Sequence, residues 1–348
     1  MAVGMVTAVG IGAKQTAASV RAGIARMAET SLYDKRFQPF TMGLVPDEAL
    51  PPLVPSLEEV VGLTSRQMRM LRLGAAALQE VLKGVQNITS IPVLVGTADA
   101  LPGRPDPAGE QFLTRLATQA GIAFNLKASK VFPMGRAAGL IALREGFERI
   151  VSGQATQIVV GGVDSYLDLY LLGTLDMEGR ILAEGVMDGF VPGEGAGFLL
   201  LSSEKAVAEK QKPMARVMAV ATGVEKGHRY SEEVYRGEGL ANTVQQLFEA
   251  VPSTSEPVRT VYAGFNGESF WSKEWGVAYL RSKDKFDEPL RMEHPVDCFG
   301  DPGAALGPVM IGLATVGMQK GYLKGPSLVW CSSDREQRAA TLVQGLPN

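Results

Sequence analysis

Residues 187–201, MDGFVPGEGAGFLLL, set glycines at alternate positions (193, 195 and 197) directly ahead of an apolar run. Glycine has no Cβ, so this spacing lets one stretch of backbone lie against another. It predicts a tight turn that delivers the chain into a central strand. Around that turn, short β-branched runs alternate with small-residue helical stretches. Strands are expected at 2–9, 91–98, 156–165 and 197–201, and helices at 14–28, 66–82, 112–120 and 135–151. The second half repeats the pattern: a strand at 213–223, a helix at 240–251, a strand at 259–267 ending in a turn, a buried helix at 300–318 and a strand at 327–333. Segments 35–60 and 100–110 read as proline-rich loops, and 283–288 as a charged surface loop. The class is α/β. No low-complexity linker separates the halves, 1–205 and 206–348, which read as one duplicated, integrated domain.

Composition removes several functions. With 34 Lys+Arg against 37 Asp+Glu and a net charge of −3, the chain has no basic footprint for nucleic acid or an anionic membrane. Two isolated cysteines, Cys298 and Cys331, cannot build a disulfide framework or a structural zinc site, and fit a reducing cytoplasm. The apolar N-terminus lacks the basic residues of a signal peptide and reads as a first buried strand. Residues 302–319 form 18 consecutive uncharged positions, but Pro308 and four glycines favour a buried core helix over a membrane span. No phosphate-binding loop is present, because GEGAG precedes a strand rather than a helix. No metal and no cofactor is expected.

The stretch 187–201, with Asp188, Gly189, Phe190, Gly193, Glu194, Gly195 and Gly197, resembles the D-G-F-V-x-G-E-G-A-G signature of the β-ketoacyl synthases in the thiolase superfamily. GMVTAVG at 4–10, QIVVGGVDS at 157–165 and GDPGAALGPVMIGLA at 300–314 look like further stretches of that family, so the likeness runs over essentially the whole chain. The resemblance implies a thiolase-like fold of five layers, αβαβα, with two mixed sheets enclosing two buried helices. It also implies a homodimer, or a heterodimer with a related ketosynthase, in which the strand after the nucleophile helix, here 157–163, pairs with its two-fold mate.

The same resemblance exposes what is missing. A ketosynthase holds a cysteine thiolate at a helix N-terminus, where backbone N–H groups and the helix dipole favour it, together with two histidines. Here the nucleophile slot falls at 134–137, with Arg136 the matching residue, and no Cys, Ser or Thr occurs from 130 to 151. The first histidine's strand, TVYAG, runs instead through Gly264 to Asn266 and Glu268. Asp297 stands at the second histidine's place. The closing glycine-rich pocket loop is replaced by Ser332, Ser333, Asp334, Arg335 and Glu336. The acyltransferase fold is therefore expected to be catalytically inactive.

Two alternatives stay open. His294 and Cys298, four residues apart, could form a relocated Cys–His pair, although Pro295 prevents one helical turn from aligning them. The plainer reading makes Cys298 a small buried hydrophobe and His294 a loop donor. His228, in KGHRYSEE, reads as solvated. Arg136, unfavourable at a helix start, is expected to pair with Asp164 or Asp301. The expected function is a ketosynthase-like partner, adaptor or acyl-chain-binding subunit, much as chain-length factors lack the cysteine. A 3-oxoacyl synthase-like acyltransferase using Cys298 is one alternative. The other is an adaptor for a bacterial secretion-system effector, since short thiolase-like proteins of this kind resemble those accompanying such effectors. An acyl carrier protein or a secreted effector is thus a candidate partner, met through the loop at 332–336.

Overall fold

The β-branched runs pair into two mixed sheets. The computed structural model describes residues 2–101, 104, 106–207, 213–252 and 256–346. The first sheet contains β1 (Ala2–Thr7), β2 (Gly10–Ile11), β5 (Val93–Thr97), β6 (Lys130–Pro133), β7 (Gln157–Ser165) and β8 (Glu194–Ser202), in the order β2-β1-β8-β7-β5-β6. The second contains β9 (Ala215–Val224), β10 (Val258–Tyr262), β11 (Phe286–Glu293), β12 (Ser327–Ser332) and β13 (Gln337–Gly345), in the order β11-β10-β12-β13-β9. A hairpin of β3 (Ala28–Tyr33) and β4 (Pro39–Met42) stands apart.

The sheets repeat one topology. Read from β1 or from β9, each shows two antiparallel contacts followed by two parallel ones. Helices Ala138–Val151 and Leu306–Gln319 follow β6 and β11, and both pack between the sheets. Leu306–Gln319 is apolar on every side, and its residues from Leu306 to Gly317 are all buried, as a helix covered all round must be. Ser65–Val81 and Phe112–Ala120 cover the outer face of the first sheet, and Glu238–Glu249 and Ser269–Arg281 that of the second, which completes five layers. The hairpin and helix Leu169–Met177 form a cap with its own small core of Phe40, Met42, Leu172 and Phe190.

The glycines of the expected turn serve the layering, with a correction. The strand expected from Gly197 begins earlier, at Glu194, so Gly195 also lies inside β8 and Gly193 stands just before it. A Cβ at Gly197 would come within 2.9 Å of the Val309 amide, and one at Gly162 of β7 within 2.1 Å of the Ala304 carbonyl. Backbone therefore rests on backbone where the second central helix crosses the first sheet.

Several other expectations change. The helix expected at 14–28 spans Ala13–Arg21 and stops before Gly23, whose φ of +67° breaks it; Ala28–Tyr33 is strand. The loop expected at 35–60 contains β4, and the charged loop at 283–288 runs into β11. Most consequential, β7 is bonded to β8 on one side and β5 on the other, so the strand expected to pair across a two-fold has no free edge. The sheet's edge on that side is β6. Among the described residues no helix is long and apolar enough to cross a membrane.

Candidate functional site

The start of the first central helix carries a buried guanidinium. Arg136 lies in a short turn of 3-10 helix, Gly135–Ala137, and is 3% exposed. Its Nε stands 2.8 Å from Asp301 Oδ2, an ion pair with both side chains buried. Its Nη2 donates to the Gly264 carbonyl at 2.8 Å and its Nη1 to the Ser332 carbonyl at 3.3 Å. The face of Trp271 lies 5.0 Å from the guanidinium carbon. Burial opposes the charge, but the Asp301 carboxylate together with further groups around it, Asp334 among them, outweighs it and holds Arg136 protonated. One side chain thus touches the strand end at Gly264, the turn at Asp301 and the closing loop at Ser332. Of the two partners expected for Arg136, Asp301 is the one found; Asp164 pairs with Arg66 at 2.9 Å and accepts the Ala304 N–H.

From Asp301 the polar chain continues. Asn266 Nδ2 donates to Asp301 Oδ2 at 2.9 Å and to Glu268 Oε2 at 3.1 Å. Arg180 grips Glu268 through Nε and Nη2 at 2.8 and 3.0 Å, and Asp334 through Nη2 and Nη1 at 2.8 and 2.9 Å. Its Nη1 also donates to the Tyr230 hydroxyl, and Arg229 Nη2 stands 2.9 Å from Glu268 Oε1. Two-pronged pairing on both sides is the strongest geometry a guanidinium offers. Burial pushes the Asp334 carboxyl up, but Arg180 and Arg229 outweigh it and hold it below its ordinary value. Arg180 and Arg229 had no sequence signal. They meet partners up to 154 residues away, which no local pattern reports.

The closing loop differs from expectation. Ser332 and Ser333 are fully buried instead of reaching solvent. Ser333 Oγ accepts the Ala137 N–H at 3.0 Å and donates to the Met134 carbonyl, and Asp334 is engaged by Arg180. Arg335 is half-buried, its guanidinium 5.8 Å from the Tyr230 ring. His228 is 16% exposed rather than solvated; its Nδ1 accepts the Tyr230 N–H and its Nε2 stands 4.0 Å from Glu336.

His294 and Cys298 do not form a pair. His294 Nδ1 lies 2.6 Å from Asp297 Oδ2, both side chains half exposed or more, whereas Cys298 is buried. Burial, together with the Asp297 and Glu293 carboxylates, pushes the Cys298 thiol up, away from the thiolate a nucleophile needs. Cys331 is pushed up to about 12 by complete burial. Asp297 sits on the outside, and it is Asp301 that reaches Arg136. The signature residues hold the frame: Asp188 accepts the Ser269 N–H and hydroxyl at the head of Ser269–Arg281, and Phe190 meets Tyr166 edge to face. A Cβ at Gly189 would crowd the Arg180 carbonyl, and Glu194 receives Arg69, the Val45 N–H and the Ser165 hydroxyl. A depression of about 300 Å³ outside Asn266 and Asp301, walled by Met27, Leu182 and Val296, is what stays open here. A larger groove of about 520 Å³ lies elsewhere, beside Phe248, Val258 and Leu342. Among the described residues, no cluster could hold a metal ion.

Two sheets repeating one order around two buried helices define a protein of thiolase-like fold, the fold of the ketosynthases. Residues 103–206 match the family model of the β-ketoacyl synthase N-terminal domain. The chain superposes on the module 6 ketosynthase of the bacillaene synthase from Bacillus subtilis 168 with a TM-score of 0.81 at 14% identity, over 100% of this chain and 72% of that one. A ketosynthase in complex with its chain length factor from Xenorhabdus doucetiae gives 0.76 at 17%, over 99% and 97%. A type II polyketide ketosynthase in complex with its acyl-carrier protein gives 0.77 at 15%, over 99% and 98%. No curated protein matches the sequence.

Proposed function

We propose that this chain is a non-catalytic, ketosynthase-like subunit that works by holding a protein partner. The observation that supports it is Arg136: a protonated guanidinium, paired with Asp301, fills the head of the helix where a nucleophile would stand. A charge held that way cannot take an acyl group, and charged side chains stand behind it where an acyl tunnel needs apolar walls. The partner is a second copy or a related ketosynthase, joined along the β6 edge, because an unpaired edge strand invites pairing. An acyl carrier protein or a secreted effector is a further partner, met at the rim formed by Arg335 and Glu336. A cytoplasmic setting suits the two unbridged cysteines.

The test is incubation with acyl and malonyl carrier-protein thioesters, followed by intact-mass measurement. The mass of the chain should stay unchanged and no condensation product should form. An acyl adduct that disappears in Cys298→Ser would overturn the reading and establish the acyltransferase alternative.

A further inference from the structure

Glu274, on helix Ser269–Arg281, and Arg338, near the start of β13, form an ion pair with both side chains fully buried, Arg338 Nε donating to Glu274 Oε1. The same guanidinium organises the closing loop: its Nη1 donates to the Ser333, Arg335 and Gln337 carbonyls at 2.8, 2.6 and 3.0 Å. Arg338 Nη2 and Glu274 Oε2 are left over, and neither has a hydrogen-bond partner among the described residues. Two more buried atoms at adjoining positions are in the same condition, Ser332 Oγ and Trp330 Nε1. Side chains alternate along a strand, so Ser332 shares with Trp330 the outer face of β12, and Ser332 stands opposite Arg338 in the β12–β13 register. Trp330 stacks at 5.6 Å on Trp275, the neighbour of Glu274 in the helix. The Ser332 hydroxyl lies close enough to favour the charged Glu274 carboxylate without closing a hydrogen bond to it.

We propose that this layer binds one internal water molecule, which accepts from Arg338 Nη2 and Trp330 Nε1 and donates to Glu274 Oε2 and Ser332 Oγ. The count of donors and acceptors selects the ligand. A guanidinium and an indole only donate, an ionised carboxylate only accepts, and a hydroxyl does either. A cation would meet two N–H groups and an anion would meet the carboxylate, whereas water offers two donors and two acceptor sites and satisfies all four atoms. The water bears on the loop as well. A guanidinium with a bare Nη2 buried among tryptophans would destabilise the layer, and the water removes that penalty from the side chain that holds three loop carbonyls at once. The inference goes beyond the proposed function and does not rest on it.

The test is a crystal structure of the full chain, fine enough to show ordered solvent, beside one of Ser332→Val. The wild type should show one peak within hydrogen-bond distance, about 2.7–3.2 Å, of all four atoms. Ser332→Val, which removes one partner and fills the space with methyl groups, should lose it. Direct bonds among the four groups with no peak between them overturn the site, and so does a peak that anomalous scattering identifies as an ion. Oxygen-17 relaxation dispersion reads the same site in solution: the variant should hold one long-lived internal water fewer than the wild type, and an equal count overturns the assignment. If Ser332→Val does not fold, the wild-type density alone decides.

Discussion

At the scale of residues, the Arg136–Asp301 pair is worth most when broken. Removing one partner of a buried pair strands the other charge, so Arg136→Ala should destabilise the fold by about 3–5 kcal/mol in urea titration. The double variant Arg136→Met/Asp301→Leu should cost clearly less than the sum of the singles, because no charge is then orphaned. Two acids nearby respond oppositely to pH. Asp334 is held below its ordinary 3.8, so its stabilisation is present above that pH and is lost as pH falls through the lower folded value. Asp99 is raised to about 7, so its contribution is full below 3.8 and is lost as pH rises from there through 7. The stability difference between wild type and Asp99→Asn should therefore change between pH 4 and 7 and stay constant above. Chemical denaturation at fixed pH steps checks this, and a constant difference throughout would contradict it.

At the scale of elements, the crossing of β7 and β8 by the second central helix and the turn that leads into it is a tight backbone joint. Gly162→Ala places a methyl 2.1 Å from the Ala304 carbonyl, with rigid backbone on both sides. A loss of about 4 kcal/mol or outright misfolding is expected, read as soluble yield and melting temperature. Lysine at Val159, fully buried in β7, should likewise prevent folding rather than split a dimer. Elements with a clean period were legible in the chain: Phe112–Ala120 emerges with the expected bounds, and β7 within one residue. Ser269–Arg281 was not, because its two tryptophans, charges and Gly276 follow no single stripe, and its packing comes from Trp330 and Phe286 across the fold. At the site, Arg136 stood out as a cation at a helix head. The rest of the ionic chain is built from loop residues brought together by topology, which leaves no periodic trace.

At the scale of the whole molecule, the two repeats share their interior. The central cluster draws Leu140 and Leu143 from the first repeat and Val309, Ile311 and Val343 from the second, so neither has a closed core of its own. One cooperative transition is expected. All three tryptophans, Trp271, Trp275 and Trp330, lie in the second repeat, while far-ultraviolet dichroism reports both. Denaturation curves from fluorescence and dichroism should coincide, and two separated midpoints would show that the halves unfold independently. The shared interior also bears on how such a gene can change. A stop codon between the repeats would release a product whose central helix has only one of its two covering sheets, and an apolar flank would lie open to water. Loss of chemistry can proceed one side chain at a time in this architecture, but loss of length cannot. That asymmetry suits a chain that keeps the full thiolase-like outline and carries a buried Arg136–Asp301 salt bridge at the head of its first central helix.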